Sequence, residues 1–190
     1  PREFLKAFSG IAITDGYQVY HKLSKERPDL LIGGCWIHAR RPFADFIKSI
    51  KGSADGTIAH KACSLITEML HIDNGFDDLP SDDRLKQRQL ILTEKVDAYF
   101  EWVKLKYNQV THNSTIGKAL AYSIHQEPYL RTFLTDGDVP MDNNYAEQAI
   151  RPFTIGRKNF VLIESSNGAR ASAMIYSLVE TAKANYLNVY

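Results

Sequence analysis

Two carboxylates stand out because of where they lie in the sequence. Asp15 follows the apolar, β-branched run IAIT at residues 11–14 and precedes Gly16, a pattern typical of a buried strand that ends in a turn. Glu147 lies among small and apolar residues in the segment DNNYAEQAIRP, residues 142–152. Carboxylate oxygens are preferred ligands of Mg²⁺, and carboxylates that hold two metal ions support phosphoryl transfer. If the two side chains converge, they predict a site for metal-dependent phosphoryl transfer.

Each carboxylate also has a purely structural interpretation. If residues 142–152 form a helix capped by Asp142 or Asn143, one face of it carries Asn143, Asn144, Glu147 and Arg151. A surface ion pair between Glu147 and Arg151 would account for that face as well as catalysis does. Similarly, an Asp before a Gly is a common turn residue. Spacing alone leaves both interpretations open.

Two basic groups occur close to these acidic segments. The groups are His38, Arg40 and Arg41, and Arg151, Arg157 and Lys158. The first group follows the apolar run LLIGG at residues 30–34, which predicts a second buried strand. Such side chains hold DNA backbone phosphates without reading the base sequence. For the first group, a solvated basic face is an equally good explanation.

The elements that must position these residues are a small α/β part and a larger helical part. The two predicted strands flank a predicted helix at residues 17–27 and so form a βαβ unit. The run KGSADG then predicts a loop, and apolar residues recur at helical spacing beyond it. We therefore predict one domain in three parts. These are a strand-helix-strand core part at 1–54, a helical insertion at 55–138, and a catalytic helix with a C-terminal helix at 139–190.

Composition favours a folded protein of the cytoplasm. The chain has 190 residues, of which 44% are hydrophobic, and its net charge of +1 gives no global basic field. Two cysteines are too few for a disulfide framework, which favours a reducing compartment. Because no apolar run reaches eighteen residues, we expect no membrane partner.

Five separated blocks carry a resemblance to a known family. In order, they are TDGYQVY, CWIHARRPF, DNNYAEQAIRP, IGRKNF and GARASAMIYSLVETAK. They resemble the blocks of the bacterial insertion sequence 66 family of Asp-Asp-Glu transposases. The resemblance covers nearly the whole chain and is weakest from about residue 55 to residue 135.

The resemblance implies a fold and a set of site residues. The fold class is α/β, a partial ribonuclease H-like core with a large all-helical insertion, and predominantly helical overall. In that family, three carboxylates bind two Mg²⁺ or Mn²⁺ ions, which makes Asp15 the second acid and Glu147 the third. Asn143 and Asn144 are expected to support Glu147. The resemblance also favours DNA contacts by the second basic group.

Two positions depart from the family pattern. The family places its first acid on a strand upstream of the block that contains Asp15, whereas residues 1–14 contain no Asp. Gln148 stands where the pattern usually has an Arg. We therefore expect a segment of a longer protein that lacks the first catalytic Asp and is inactive alone.

The resemblance implies the catalytic domain of a bacterial transposase, the enzyme that moves an insertion sequence. It would cleave DNA with a metal-activated water and join the freed 3′ hydroxyl to target DNA. The expected partners are the element's ends, the target DNA and further copies of the protein, in the cytoplasm at the nucleoid. The alternatives are a non-catalytic DNA-binding or assembly module, or a metal-dependent nuclease on the same core.

Overall fold

A two-stranded parallel sheet lies near the start of the chain. The computed structural model describes residues 2–156 and 165–189. Strand β1 is Gly10–Thr14, helix α1 is Gln18–Glu26 and strand β2 is Leu30–Gly34. The strands pair in register from Gly10 opposite Leu30 to Thr14 opposite Gly34. The βαβ unit that the sequence predicts is therefore confirmed.

The outer edge of β2 is covered by the end of a helix instead of a further strand. The Thr132 hydroxyl donates to the Ile32 carbonyl at 3.1 Å. A Cβ on Gly34 would lie only 3.0 Å from the backbone nitrogen of Leu130, so this glycine permits a close approach of backbone to backbone. Residues 130–132 therefore satisfy and shield the edge of the sheet.

Helices make up most of the rest of the first compact unit, Pro1–Asp142. After β2, the helices are α2 (Trp36–Ser49), α3 (Ile58–Asn74), α4 (Ser81–Gln87), a π-helical turn (Arg88–Leu92), α5 (Thr93–Tyr107), α6 (Thr115–Leu130) and a 3₁₀ turn (Thr132–Leu134). Thr57 and Ser114 cap α3 and α6, because their side chains accept from the backbone N–H groups of His60 and Gly117. The predominantly helical character that we predict is confirmed, and the ribonuclease H-like core stays a prediction.

One hydrophobic core joins α2 to the helices that follow it. Trp36, Phe43 and Leu120 are fully buried in this core. The Trp36 ring lies 5.4 Å from the ring of Tyr99 on α5, and its indole N–H donates to the carbonyl of Leu130 at 2.9 Å. The loop predicted at residues 51–56 is present, but the segments on either side of it share this core.

A buried ion pair fixes the segment that follows α6. Arg88, which is only 1% exposed, donates from Nε to Asp73 Oδ1 at 2.6 Å and from Nη2 to Asp73 Oδ2 at 3.0 Å. Its Nη1 group lies within hydrogen-bond distance of four carbonyl oxygens, of Phe133, Asp136, Gly137 and Val139. One guanidinium therefore ties α3 to the turn that leads towards residue 141.

The second compact unit, Asn143–Tyr190, contains two helices among its described residues. Helix α7 is Asn144–Gly156 and helix α8 is Ser166–Ala184. Ser165 caps α8, since its hydroxyl accepts from the backbone N–H of Gly168 at 3.0 Å. Within the described ranges of both units, no helix has the length and apolar character of a membrane span.

We predict that Arg88→Met lowers the free energy of unfolding by about 3–5 kcal/mol, because it leaves Asp73 as an unpaired buried charge. The measurement is urea denaturation followed by circular dichroism. Lys95→Met is the matched control, because Lys95 makes a part-exposed ion pair with Glu68 whose loss should cost no more than about 1 kcal/mol. Equal losses in the two variants would contradict the role given to Arg88.

Candidate functional site

Asp15 lies at the carboxyl end of β1, as the sequence predicts. The two parallel strands end side by side, because Thr14 pairs with Gly34 and the backbone N–H of Cys35 donates to the Thr14 carbonyl at 3.1 Å. This edge of a parallel sheet is where ligands commonly bind in α/β proteins. The Asp15 residue is exposed there and therefore accessible to a ligand.

The turn after β1 holds Asp15 from two sides. Asp15 Oδ1 accepts from the backbone N–H of Tyr17 at 3.1 Å, which is an Asx turn. The main-chain carbonyl of Asp15 accepts from the hydroxyl of Tyr122 on α6 at 2.8 Å. Gly16 has a φ of +86°, and a Cβ there would lie 2.8 Å from the Tyr122 hydroxyl and 3.1 Å from Gln126. The turn therefore strongly favours glycine at this position.

The charge of Asp15 acts on its neighbours. Burial, and after it the negative charge of Asp15, raises the pKa of Tyr122 to about 12, while the positive charge of Arg41 acts in the opposite direction. Burial and then the charge of Lys25 lower the pKa of His21, against the effect of Asp15. At neutral pH, the Tyr122 hydroxyl therefore keeps its proton and the His21 imidazole is neutral.

Several polar atoms beside this turn make no hydrogen bond to the described residues. Gln126 is 8% exposed and Thr14 is 6% exposed. Neither Gln126 Oε1 nor Thr14 Oγ1 has a hydrogen-bond partner among the described residues. His21 Nε2 is a third such atom, and its ring stacks on the ring of Tyr129 with centroids 3.9 Å apart. Buried polar atoms normally make hydrogen bonds, so these atoms can form hydrogen bonds with water or a ligand at this edge of the sheet.

The basic residues after β2 differ in their surroundings. His38, Arg40 and Arg41 all lie in the first two turns of α2. Arg40 is half-buried, and its Nε donates to the Thr67 hydroxyl on α3 at 2.9 Å, so part of its guanidinium is committed within the protein. Arg41 is exposed, and its positive charge acts on Tyr122, whose hydroxyl donates to the Asp15 carbonyl.

Glu147 lies in the first turn of α7 and is exposed. Its backbone N–H donates to the Asn143 carbonyl at 3.1 Å, so Asn143 occupies the N-cap position, which is one of the two predicted. Among the described residues, however, Asn143 Oδ1 accepts no capping hydrogen bond. Arg151 is also exposed, one helical turn beyond Glu147. Arg157 and Lys158 lie outside the described residues. Because Asp15 and Glu147 belong to different compact units, their convergence stays a prediction.

Within residues 2–156 and 165–189, no group of three or more His, Cys, Asp and Glu side chains is arranged to hold a metal ion. Asp15 supplies a hard carboxylate oxygen, which suits Mg²⁺ or Mn²⁺ through retained waters. One carboxylate is a single ligand, so the metal site stays a prediction.

Tyr122, Gln126 and Tyr129 were not predicted from the sequence as residues of the candidate site. They are spaced four and three residues apart on α6, so they share a helix face, and this face lies against the Asp15 turn and His21. The spacing of polar and aromatic residues was the available signal, but it gives no indication of a partner 107 positions away.

Comparison with known proteins gives consistent matches. A family model described as the transposase IS66 family matches residues 1–171. The uncharacterized protein y4qI of Sinorhizobium fredii is 32% identical over 188 residues, which are 95% of this chain and 34% of that protein. The uncharacterized protein y4jD of the same organism is 28% identical over 191 residues, which are 98% of this chain and 37% of that protein. This chain thus spans about a third of these relatives. No solved structure matches it significantly.

We predict that Gly16→Ala lowers the free energy of unfolding by about 1–3 kcal/mol, because it combines a positive φ with contact against Tyr122. Gly56→Ala is the matched control: its φ of +75° is also positive, but a Cβ there meets nothing within 4 Å. It should cost about 1 kcal/mol. Thermal denaturation of both variants measures the difference, and an equal loss would show that Tyr122 does not crowd the turn.

Proposed function

Because this chain belongs to the transposase IS66 family, we propose that it carries part of the catalytic site of a transposase that cleaves DNA and joins the freed 3′ hydroxyl to target DNA. The observation that carries the proposal is the exposed carboxylate of Asp15, held in a defined turn at the carboxyl end of β1. Asp15 lies within the residues that the family model covers.

Asp15 and Glu147 would hold Mg²⁺ or Mn²⁺. When bound, such an ion activates water as a nucleophile and stabilises the charge that develops on phosphate oxygens. Tyr17 and Tyr122 orient Asp15, while Asn143 starts the helix on which Glu147 lies. Two carboxylates suffice for one ion, and a second ion requires the further acid that the family resemblance implies.

The first unit ends at the same edge of the sheet as Asp15. Met141 is 3% exposed, and its carbonyl accepts from the backbone N–H of Trp36 at 2.9 Å, just after β2. Asp15 and Met141 therefore both lie at the carboxyl end of the parallel strands.

Arg41 would contact the phosphate backbone of DNA bound at this edge. It is exposed, and its positive charge acts on Tyr122, which contacts the Asp15 turn. Arg40 has less freedom because it donates to Thr67, and Arg151 is exposed on α7 beyond Glu147. Such contacts would fix DNA relative to the carboxylates without reading its sequence. The active complex would be a homo-oligomer that holds both ends of the element.

We predict that Asp15→Asn and Glu147→Gln each weaken Mn²⁺ binding and that the double variant is hardly weaker than either single one, because both side chains hold the same ion. Titration of Mn²⁺ followed by electron paramagnetic resonance measures the four affinities. Glu101→Gln is the control, since it removes an exposed carboxylate from α5. Additive losses would place the two carboxylates at separate sites.

The joining reaction tests the same assignment. The 190-residue chain alone should yield no joined DNA product with Mg²⁺ or Mn²⁺, because two carboxylates do not hold two ions. Robust joining by this chain would contradict the need for a further acid. In a longer protein that does join DNA, joining that persists after Glu147→Gln would contradict the role of Glu147. Nicked products without joined ones would favour a nuclease.

We predict that Arg41→Ala weakens binding of unrelated DNA sequences to a similar extent. It should also reduce the slope of log affinity against log salt concentration by about 1, since one phosphate contact is lost. Arg157→Ala and Lys158→Ala should act in the same way. Lys48→Ala is the control, because Lys48 lies in the last turn of the same helix as Arg41 and is 77% exposed. An unchanged slope for Arg41→Ala would remove Arg41 from the interface.

A further inference from the structure

We propose that Tyr122 on α6 is a positioning residue that holds Asp15 in its metal-binding conformation. This inference rests on the proposed function, since it concerns the carboxylate assigned to the metal. Tyr122 acts through the main chain: its hydroxyl donates to the Asp15 carbonyl at 2.8 Å. It therefore does not need to touch the metal or the DNA.

The hydrogen bond from Tyr122 complements the Asx turn. Tyr17 fixes the side chain of Asp15 by donating to Oδ1 at 3.1 Å. Tyr122 fixes the peptide group that follows the same residue. Together they restrain both ends of the rotatable bonds that set the direction of the carboxylate, so the side chain is oriented before any ion binds. Such preorganisation avoids an ordering cost at the moment of binding.

Tyr122 packs closely against the turn at Gly16. A Cβ on Gly16 would be 2.8 Å from the Tyr122 hydroxyl and 3.1 Å from the side-chain amide of Gln126. Both residues lie on the same face of α6, one helical turn apart. The 16-residue helix α6 therefore supports the hydroxyl, whereas a loop residue in its place would move with the turn.

The test compares two Tyr→Phe substitutions on one helix face. Tyr122→Phe keeps the ring and removes the donor. Tyr129→Phe makes the same chemical change two turns further along α6, where the ring stacks on His21 and the hydroxyl makes no hydrogen bond to the described residues. Mn²⁺ titration and thermal denaturation are carried out on both variants, the unaltered chain and Asp15→Asn.

We expect Tyr122→Phe to weaken Mn²⁺ binding about tenfold, the effect of removing a group that orients a metal ligand. Tyr129→Phe should bind Mn²⁺ as the unaltered chain does. The loss in Tyr122→Phe should persist at temperatures well below the unfolding transition. A purely structural role would instead change the unfolding temperature and leave the Mn²⁺ affinity of the folded protein unaltered.

The outcomes separate this inference from the proposed function. If Asp15→Asn weakens Mn²⁺ binding while Tyr122→Phe binds normally, the positioning role is overturned and the metal site stands. Equal losses in Tyr122→Phe and Tyr129→Phe would also overturn it, because the effect would then belong to α6 as a whole. If Asp15→Asn leaves Mn²⁺ binding unaltered, the metal site itself is overturned, and the positioning role with it.

Discussion

The burial of the Trp36 indole is the interaction on which the rest of the first unit depends. Its ring is fully buried against aromatic residues of α5, its indole N–H donates to Leu130, and its backbone N–H donates to Met141. A buried N–H group without a hydrogen-bond acceptor costs about 1–3 kcal/mol. Burial of Trp36 therefore stabilises the fold only when Leu130 and Met141 are in place to accept its hydrogen bonds. The end of the sheet, the end of α6 and the approach to α7 are thereby fixed around one side chain.

This arrangement makes the helical region predicted as an insertion, residues 55–138, part of the candidate site. Helix α6 belongs to the region that the sequence suggests is an insertion, yet it contributes Tyr122 to the Asp15 turn and its end covers β2. The Arg88 guanidinium holds the next segment through Asp73 and a set of main-chain carbonyls. A polar network and an apolar core therefore act on the same stretch of chain, from residue 130 to residue 141.

The sequence predicts the features that depend on neighbouring residues. Strands β1 and β2 and the position of Asp15 follow from short β-branched runs that end at turn-forming residues. The contact between Tyr122 and Asp15 could not be predicted, because nothing local encodes a partner 107 positions away. The burial of Arg88 could not be predicted either, since an Arg beside apolar residues normally extends to solvent. For Arg40, the sequence allows a contact with DNA or a solvated basic face. It does not indicate the hydrogen bond that Arg40 makes to Thr67 within the protein.

The separation of Tyr122 from Asp15 has a consequence for synthesis on the ribosome. At about 5–20 residues per second, α6 emerges several seconds after β1 and β2. During that interval, the Asp15 turn lacks its donor, and the edge of β2 lacks Thr132, which lies 100 positions beyond Ile32. A nascent chain therefore has an uncovered β2 edge and an Asp15 turn that lacks the Tyr122 hydrogen bond. Only a chain translated through α6 can acquire the geometry, so prematurely terminated products cannot form this part of the site.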